Sequence, residues 1–227
     1  VYSVTVIEGK TFKDLRETLR QTAGLEHTLN NKTDAEVATL LGLQGNPEGW
    51  FLPETYQFNR GTTDLDMLKR MYDEMQRTLE KAWASRAEGL PLATPYEALI
   101  LASIIEKETG VAAERPQISG VFTRRLQKNM LLQTDPTVIY GAADYHGDLT
   151  RKHLQTDTPY NTYINKGLPP TPIALPGKAS IEAALHPADG DSLYFVADGT
   201  GGHTFSATYE EHQQAVADYL KKQQNKP

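Results

Sequence analysis

Polar and apolar residues alternate from the first position, Val1-Tyr2-Ser3-Val4-Thr5-Val6-Ile7, and this period of two predicts a strand that stops at Glu8-Gly9. Thr11 then stands where an N-cap belongs, with Leu15 and Leu19 four apart on one face of the helix it would open. A polar stretch over 27–33 leads to a short helical segment at 35–43. Residues 48–56, from Glu48-Gly49-Trp50 to Pro53-Glu54-Thr55-Tyr56, mix aromatics and acids around a proline and read as loop or short strand. From Asp64 the spacing changes: Leu65, Leu68, Met71, Tyr72, Met75, Leu79, Ala82 and Trp83 keep a helical period for about six turns, which predicts one long amphipathic helix.

Thr94-Pro95-Tyr96-Glu97 has the form of a capping box with proline at the first helical position, and Gly110 supplies the stop. Between them Ala98-Leu99-Ile100-Leu101-Ala102-Ser103-Ile104-Ile105 offers no charged face, so this helix is expected to be buried on most sides and central to the fold. A further helix at about 112–128 turns Ile118, Val121, Phe122 and Leu126 inward. Residues 133–177 are rich in Pro, Gly, Thr, Asn and Tyr and show little period, which predicts a long loop, either functional or disordered. Ser180 is placed to cap a short helix reaching His186. Strands at 192–197 and 203–205 around a glycine turn predict a hairpin. Thr208-Tyr209-Glu210-Glu211 opens a last helix with Val216, Tyr219 and Leu220 on its inner face. The pattern as a whole predicts an α+β fold, with an N-terminal part over 1–85 and a larger part over 86–227 that carries the chemistry.

Composition narrows the function. At 227 residues, 39% hydrophobic and 23% charged, the chain is long enough for a sizeable core. A formal charge of -6 without any dense Lys/Arg run gives no field for a phosphate backbone, so nucleic acid is not an expected partner. The absence of cysteine removes thiol nucleophiles, disulfides and Cys-containing metal sites. The six histidines form no spacing that suits zinc, so no metal and no cofactor are expected. Gly199-Thr200-Gly201-Gly202 lacks the Lys-Ser/Thr of a phosphate loop and reads as a turn, and no Gly-x-Ser-x-Gly occurs. The chain opens at Val1 in the middle of a strand pattern, which reads as the remainder of a longer protein whose signal or anchor has been removed.

The most informative chemistry is Glu106-Lys107-Glu108-Thr109, two carboxyls at the last turn of a nearly all-apolar helix. Desolvation and the negative end of the helix dipole both raise a carboxyl pKa there, which lets an acid keep its proton near neutral pH. Two residues along a helix is a rotation of about 200°, so the two carboxyls point to nearly opposite sides and cannot form one pair. Glu106 shares its face with Leu99, Ala102 and Ser103; Glu108 shares its face with Leu101, Ile104 and Glu97. The alternative is a structural ion pair of either carboxyl with Arg115, Arg124 or Arg125.

Six ordered segments carry a resemblance. They are residues 102–109, Leu132-Gln133-Thr134-Asp135-Pro136-Thr137-Val138-Ile139-Tyr140-Gly141, Tyr160-Asn161-Thr162-Tyr163, Gly167-Leu168-Pro169-Pro170, Ala184-Leu185-His186-Pro187, and residues 194–199 followed by Gly202-His203-Thr204-Phe205. In this order they resemble the YceG/MltG endolytic murein transglycosylases, and the resemblance runs over essentially the whole chain, with Glu54 where many relatives have Asp. It implies that the first Glu of Glu-Lys-Glu-Thr, here Glu106, is the catalytic residue, with Glu108 as the second candidate. It also implies a peptidoglycan glycan strand as substrate, cell-wall synthases such as penicillin-binding proteins as partners, and a periplasmic domain on one inner-membrane helix. The LysM-like subdomain and membrane helix of such relatives are not recognisable here.

That resemblance also explains how one carboxyl can suffice. A hydrolytic glycosidase normally needs two. A lytic transglycosylase lets the C6 hydroxyl of N-acetylmuramic acid attack its own C1, so the nucleophile is already tethered. Glu106 would protonate the bridging oxygen to N-acetylglucosamine and, once ionised, take the C6 proton as the 1,6-anhydro ring closes. Gln133, Thr134, Asp135, Tyr140, Asn161, Tyr163 and His203 offer the amide, hydroxyl and ring groups that would bind acetamido sugars, in a cleft expected along 133–140 and 160–170. Each also has a structural reading, such as an Asx-turn at Asn161 or turn chemistry at Asp135-Pro136. Two other functions stay open: a hydrolytic muramidase pairing Glu106 with Asp135 or Glu54, and a glycan-binding or scaffolding module that does not cut.

Overall fold

The computed structural model describes all 227 residues and is an α+β arrangement of helices with two small antiparallel sheets. The N-terminal third contains β1 (Tyr2–Thr5), α1 (Phe12–Gln21), α2 (Asp34–Leu40), β2 (Thr55–Phe58) and α3 (Asp64–Ala84). Strand β1 pairs with β2 so that Val4 faces Tyr56 and Tyr2 faces Phe58, whose rings stack at 5.6 Å. Reciprocal capping boxes start α1, α2 and α3 at Thr11, Thr33 and Thr63, as a Thr three residues before an acid favours. The polar stretch over 27–33 is held by charged side chains as well as by Leu29, which is buried in the N-terminal core. Asp64, at the start of α3, accepts the Thr28 and Leu29 amides, while Arg16 donates to the Leu29 and Lys32 carbonyls and pairs with Asp34 at 2.7 Å.

The remainder is built on α4 (Pro95–Glu108), in which every residue from Ala98 to Ile105 is buried. Around it lie a 3-10 turn (Ala112–Glu114), α5 (Arg115–Gln127), α6 (Asp135–Gly141), α7 (Arg151–Gln155), α8 (Lys178–Leu185), the hairpin β3 (Tyr194–Ala197) with β4 (His203–Ser206), and α9 (Tyr209–Gln224). Helix α8 packs most extensively on α4, whereas α9 packs on the hairpin. Two hydrophobic cores result. One contains Val4, Phe12, Phe51 and the Met67, Leu68 and Met71 turns of α3; the other gathers Met75, Leu79 and Ala82 of the same helix with α4, α5 and α8.

Several local expectations give way to packing. Residues 133–177 hold two helices, α6 and α7, of seven and five residues, too short to leave a period in the sequence. Asp135 and Pro136 open α6 rather than a turn. Ser180 lies inside α8, whose N-cap is Gly177. Thr94 caps α4, but Glu97 returns to the amide of Ala93, one residue before the cap. Leu220 is 57% exposed and Ala215 is the buried residue of α9, because only the thin hairpin is there to cover that helix. At Gly49, with φ +89, a Cβ would lie 2.4 Å from Pro172, so only glycine lets the Glu48-Gly49-Trp50 turn sit against the proline-rich segment.

Candidate active site

The two carboxyls at the end of α4 diverge as helix geometry requires. Glu106 turns to the N-terminus of α8. Its Oε1 accepts the Gly177 amide at 2.8 Å and the Ser180 hydroxyl at 3.0 Å, its Oε2 lies 3.7 Å from Arg115 Nη2, and the side chain is 8% exposed. One amide at the N-cap of α8, a hydroxyl and a guanidinium thus face this carboxyl.

Glu108 turns the other way, into the wall of a cavity of about 440 Å³. The end of α4, the inner face of α5, residues 132–135, Tyr163, the hairpin and α9 close this cavity. The Thr134 hydroxyl donates to Glu108 Oε1 at 2.6 Å. Burial pushes the Glu108 pKa up; the Thr134 bond opposes this, nearby Asp135 adds to it, and a charged His203 opposes it. Oε1 is taken by this donor, and Oε2 makes no hydrogen bond within the protein.

The segment before α6 is fixed by a buried threonine cluster. The Thr134 amide donates to Thr162 Oγ1 at 3.0 Å, the Thr137 and Thr162 hydroxyls lie 2.9 Å apart, and the Gln133 amide donates to the Thr162 carbonyl at 3.2 Å. Gln133 takes φ +50, a left-handed conformation that a non-glycine residue holds only where its surroundings enforce it. The result aims Thr134 at Glu108. Tyr163 donates to Asp135 Oδ1 at 2.6 Å, and burial together with that bond raises the Tyr163 pKa.

The structure therefore brings together Gln133, Thr134, Asp135, Tyr163, His203 and Glu108. It does not add Glu106, Tyr140 or Asn161. The expected placement of Glu106 against this cleft is not what the fold produces, because the face of α4 that carries Glu106 packs on α8. Asn161 is 1% exposed; its Nδ2 donates to the Leu154 and Thr156 carbonyls at the end of α7, and its Oδ1 accepts the Tyr163 amide at 2.9 Å, which is the Asx-turn reading. Tyr140 donates at 2.8 Å to the buried Glu48, whose other oxygen accepts the Phe12 amide at 2.7 Å. Burial pushes the Glu48 pKa up to about 7 against those two bonds. Of the arginines, Arg115 alone meets a carboxyl of this helix; Arg124 and Arg125 donate to backbone carbonyls at the base of the hairpin.

Sequence reasoning missed part of the wall. Arg125 holds the Leu193 and Leu131 carbonyls and places its guanidinium 4.9 Å from the centre of the Tyr194 ring, which stacks on His212 at 5.0 Å. Arg125 falls three and four residues after Phe122 and Val121, so its place on the inner face of α5 was available as a signal. His212 precedes Val216 by one helical turn in the same way. Glu114, which grips His203, left no such signal, because it lies in an irregular turn.

Comparison with known proteins gives the following. The profile of the YceG-like family matches residues 1–218. A Bacillus subtilis protein named endolytic murein transglycosylase is 41% identical over 180 residues, covering 79% of this chain and 49% of the relative. A Streptococcus pneumoniae protein of the same name is 28% identical over 253 residues, covering 98% of this chain and 45% of the relative. The chain thus spans about half the length of these curated relatives. Among solved structures, a yceG-like protein from Listeria monocytogenes superposes with a TM-score of 0.76 at 31% identity, covering 94% of this chain and 76% of the other.

Proposed function

This chain belongs to the YceG-like family, and we propose that it is the catalytic part of an endolytic murein transglycosylase that cuts within peptidoglycan glycan strands. The observation that carries the reading is Glu108: a carboxyl held toward its protonated form by burial, with one oxygen engaged by Thr134, on the wall of a cavity of small-ligand size. Its surroundings support Glu108 rather than Glu106 as the proton donor, since Glu108 lines the cavity while Glu106 packs against Gly177, Ser180 and Arg115 outside it.

Glu108 donates its proton to the oxygen bridging N-acetylmuramic acid and N-acetylglucosamine, the C1–O bond breaks, and the C6 hydroxyl of the same muramic acid closes on C1 as its proton passes to a base in the cavity. The tethered hydroxyl supplies effective concentration, so no water need be activated. Tyr163 offers a ring and Gln133 and Asp135 offer polar groups to the flanking sugars. The proposal extends, on family resemblance alone, to a periplasmic position at the inner membrane and to work beside cell-wall synthases.

Mass spectrometry of isolated glycan strands incubated with the protein tests the reading. Internal fragments with 1,6-anhydromuramoyl ends are expected. Reducing muramic acid ends would make it a hydrolytic muramidase, and intact strands that stay bound would make it a binding module.

A further inference from the structure

Resting on that reading, we propose that His203 is a second catalytic residue, the base that takes the proton of the ring-closing C6 hydroxyl, and that Glu114 is the positioning residue that keeps it in the accepting form. Glu114 grips His203 twice: its Oε1 lies 2.8 Å from Nδ1 and its Oε2 accepts the His203 backbone amide at 2.9 Å. Both side chains are largely enclosed, at 13% and 15% exposure. Where Glu114 accepts from Nδ1, the ring carries its hydrogen on that nitrogen and presents a lone pair at Nε2. Nε2 makes no hydrogen bond within the protein, and His203 lines the cavity that holds Glu108.

Independent features hold this geometry. The His203 ring meets Phe195 edge-on at 5.4 Å and 89°, which fixes its plane. Gly202 leaves this contact uncrowded, since a Cβ there would stand 3.0 Å from Glu114 Oε2. The other carboxylate in the cavity, Asp135, already has one oxygen engaged by Tyr163. A base fixed by a carboxylate on its far nitrogen is the arrangement that general-base catalysis uses to stabilise an imidazolium as it forms.

The step balances without a co-reactant. Glu108 gives its proton to the departing N-acetylglucosamine oxygen, the C6 oxygen forms its bond to C1, and the C6 proton passes to His203 Nε2. The enzyme is left with an ionised Glu108 and a charged His203 held against Glu114. Passage of that proton from His203 to Glu108 restores both groups for the next cut.

The test measures kcat and KM for anhydro-end formation on glycan strands, with nitrogen NMR of the His203 ring beside it. The expected results are a loss of about 10²-fold in kcat for His203→Ala with KM little changed, partial restoration by added imidazole, and Nδ1–H as the wild-type tautomer. Glu114→Gln should move the ring toward Nε2–H and lower kcat while the folded state persists. Should His203→Ala not fold, His203→Gln, which keeps a group able to meet Glu114, takes its place. A variant with undiminished kcat, or one whose loss lies in KM and is not restored by imidazole, overturns the proposal while leaving the transglycosylase reading intact. A wild-type protein that makes no anhydro ends overturns both.

Discussion

Glu106 and Glu108 leave the same last turn of α4 and enter opposite surroundings. Glu106 meets the N-terminus of α8, a serine hydroxyl and an arginine; Glu108 meets one threonine hydroxyl and an open cavity. Both are removed from bulk water, so burial alone does not separate them. The number of donors does. A buried carboxyl met by several donors ties elements together, here α4 to α8, whereas one with a single donor and a cavity beside it is the one proposed above as the proton source. The neighbours in space decide the role, and those neighbours lie on elements distant in sequence.

The largest effect expected is kinetic. Glu108→Gln keeps the shape but cannot transfer a proton, so cleavage should fall by about 10²- to 10⁴-fold while the melting temperature holds or rises slightly. Release of anhydro-ended fragments and a thermal melt on the same sample read both quantities. Full activity in this variant would collapse the distinction between the two carboxyls.

Glu48 sharpens the comparison as an intermediate case, with two donors that do not outweigh its burial. Its folded-state pKa of about 7 exceeds its ordinary value of 4.5, so the folded protein binds this proton more tightly than the unfolded chain does. Its contribution is then complete below about pH 4.5 and is lost as pH rises through 7, on the order of 3 kcal/mol in all. Denaturant unfolding at pH 5 and pH 8 should show this fall in the wild type and less of it in Glu48→Gln, where the Tyr140 hydroxyl can turn from donor to acceptor. Parallel pH profiles for the two proteins would contradict the assignment.

The smallest effect concerns the tie between α4 and α8. Glu106→Gln removes the charge that Arg115 and the Gly177 amide meet, and a loss of about 1–3 kcal/mol of stability is expected. In a chain of this size that lowers the melting temperature by roughly 2–4 °C per kcal/mol. Cleavage per folded molecule should change far less than in Glu108→Gln. The opposite pattern, a stable protein without activity, would return the proton donor to Glu106.

Much of this arrangement was legible in the chain. The threonine caps of α1 and α4 and the periods of α1, α3 and α4 announced themselves, since long regular elements repeat their pattern several times. Helix geometry also separated Glu106 from Glu108 before any contact was known. It could not say which side held the cavity, because that follows from the hairpin and α9 closing over α5. The same limit explains the candidate list. Gln133, Thr134, Asp135, Tyr163 and His203 do converge, whereas Asn161 caps α7 and Tyr140 serves Glu48. Polar residues in a proline-rich stretch carry no mark that tells a ligand contact from a structural bond.

Helix α3 carries a consequence of another kind. Its first turns are embedded in one core and its last turns in the other, with α4 and α8 resting on it. The two halves of the chain therefore share a beam rather than a hinge. A cut in the connecting residues 85–94 would not release two independent bodies: one fragment would keep an exposed methionine and leucine edge, and the helix that bears both carboxyls would lose part of its bed. What joins the halves is itself a wall of each, so α3 belongs to both and neither core is complete without it.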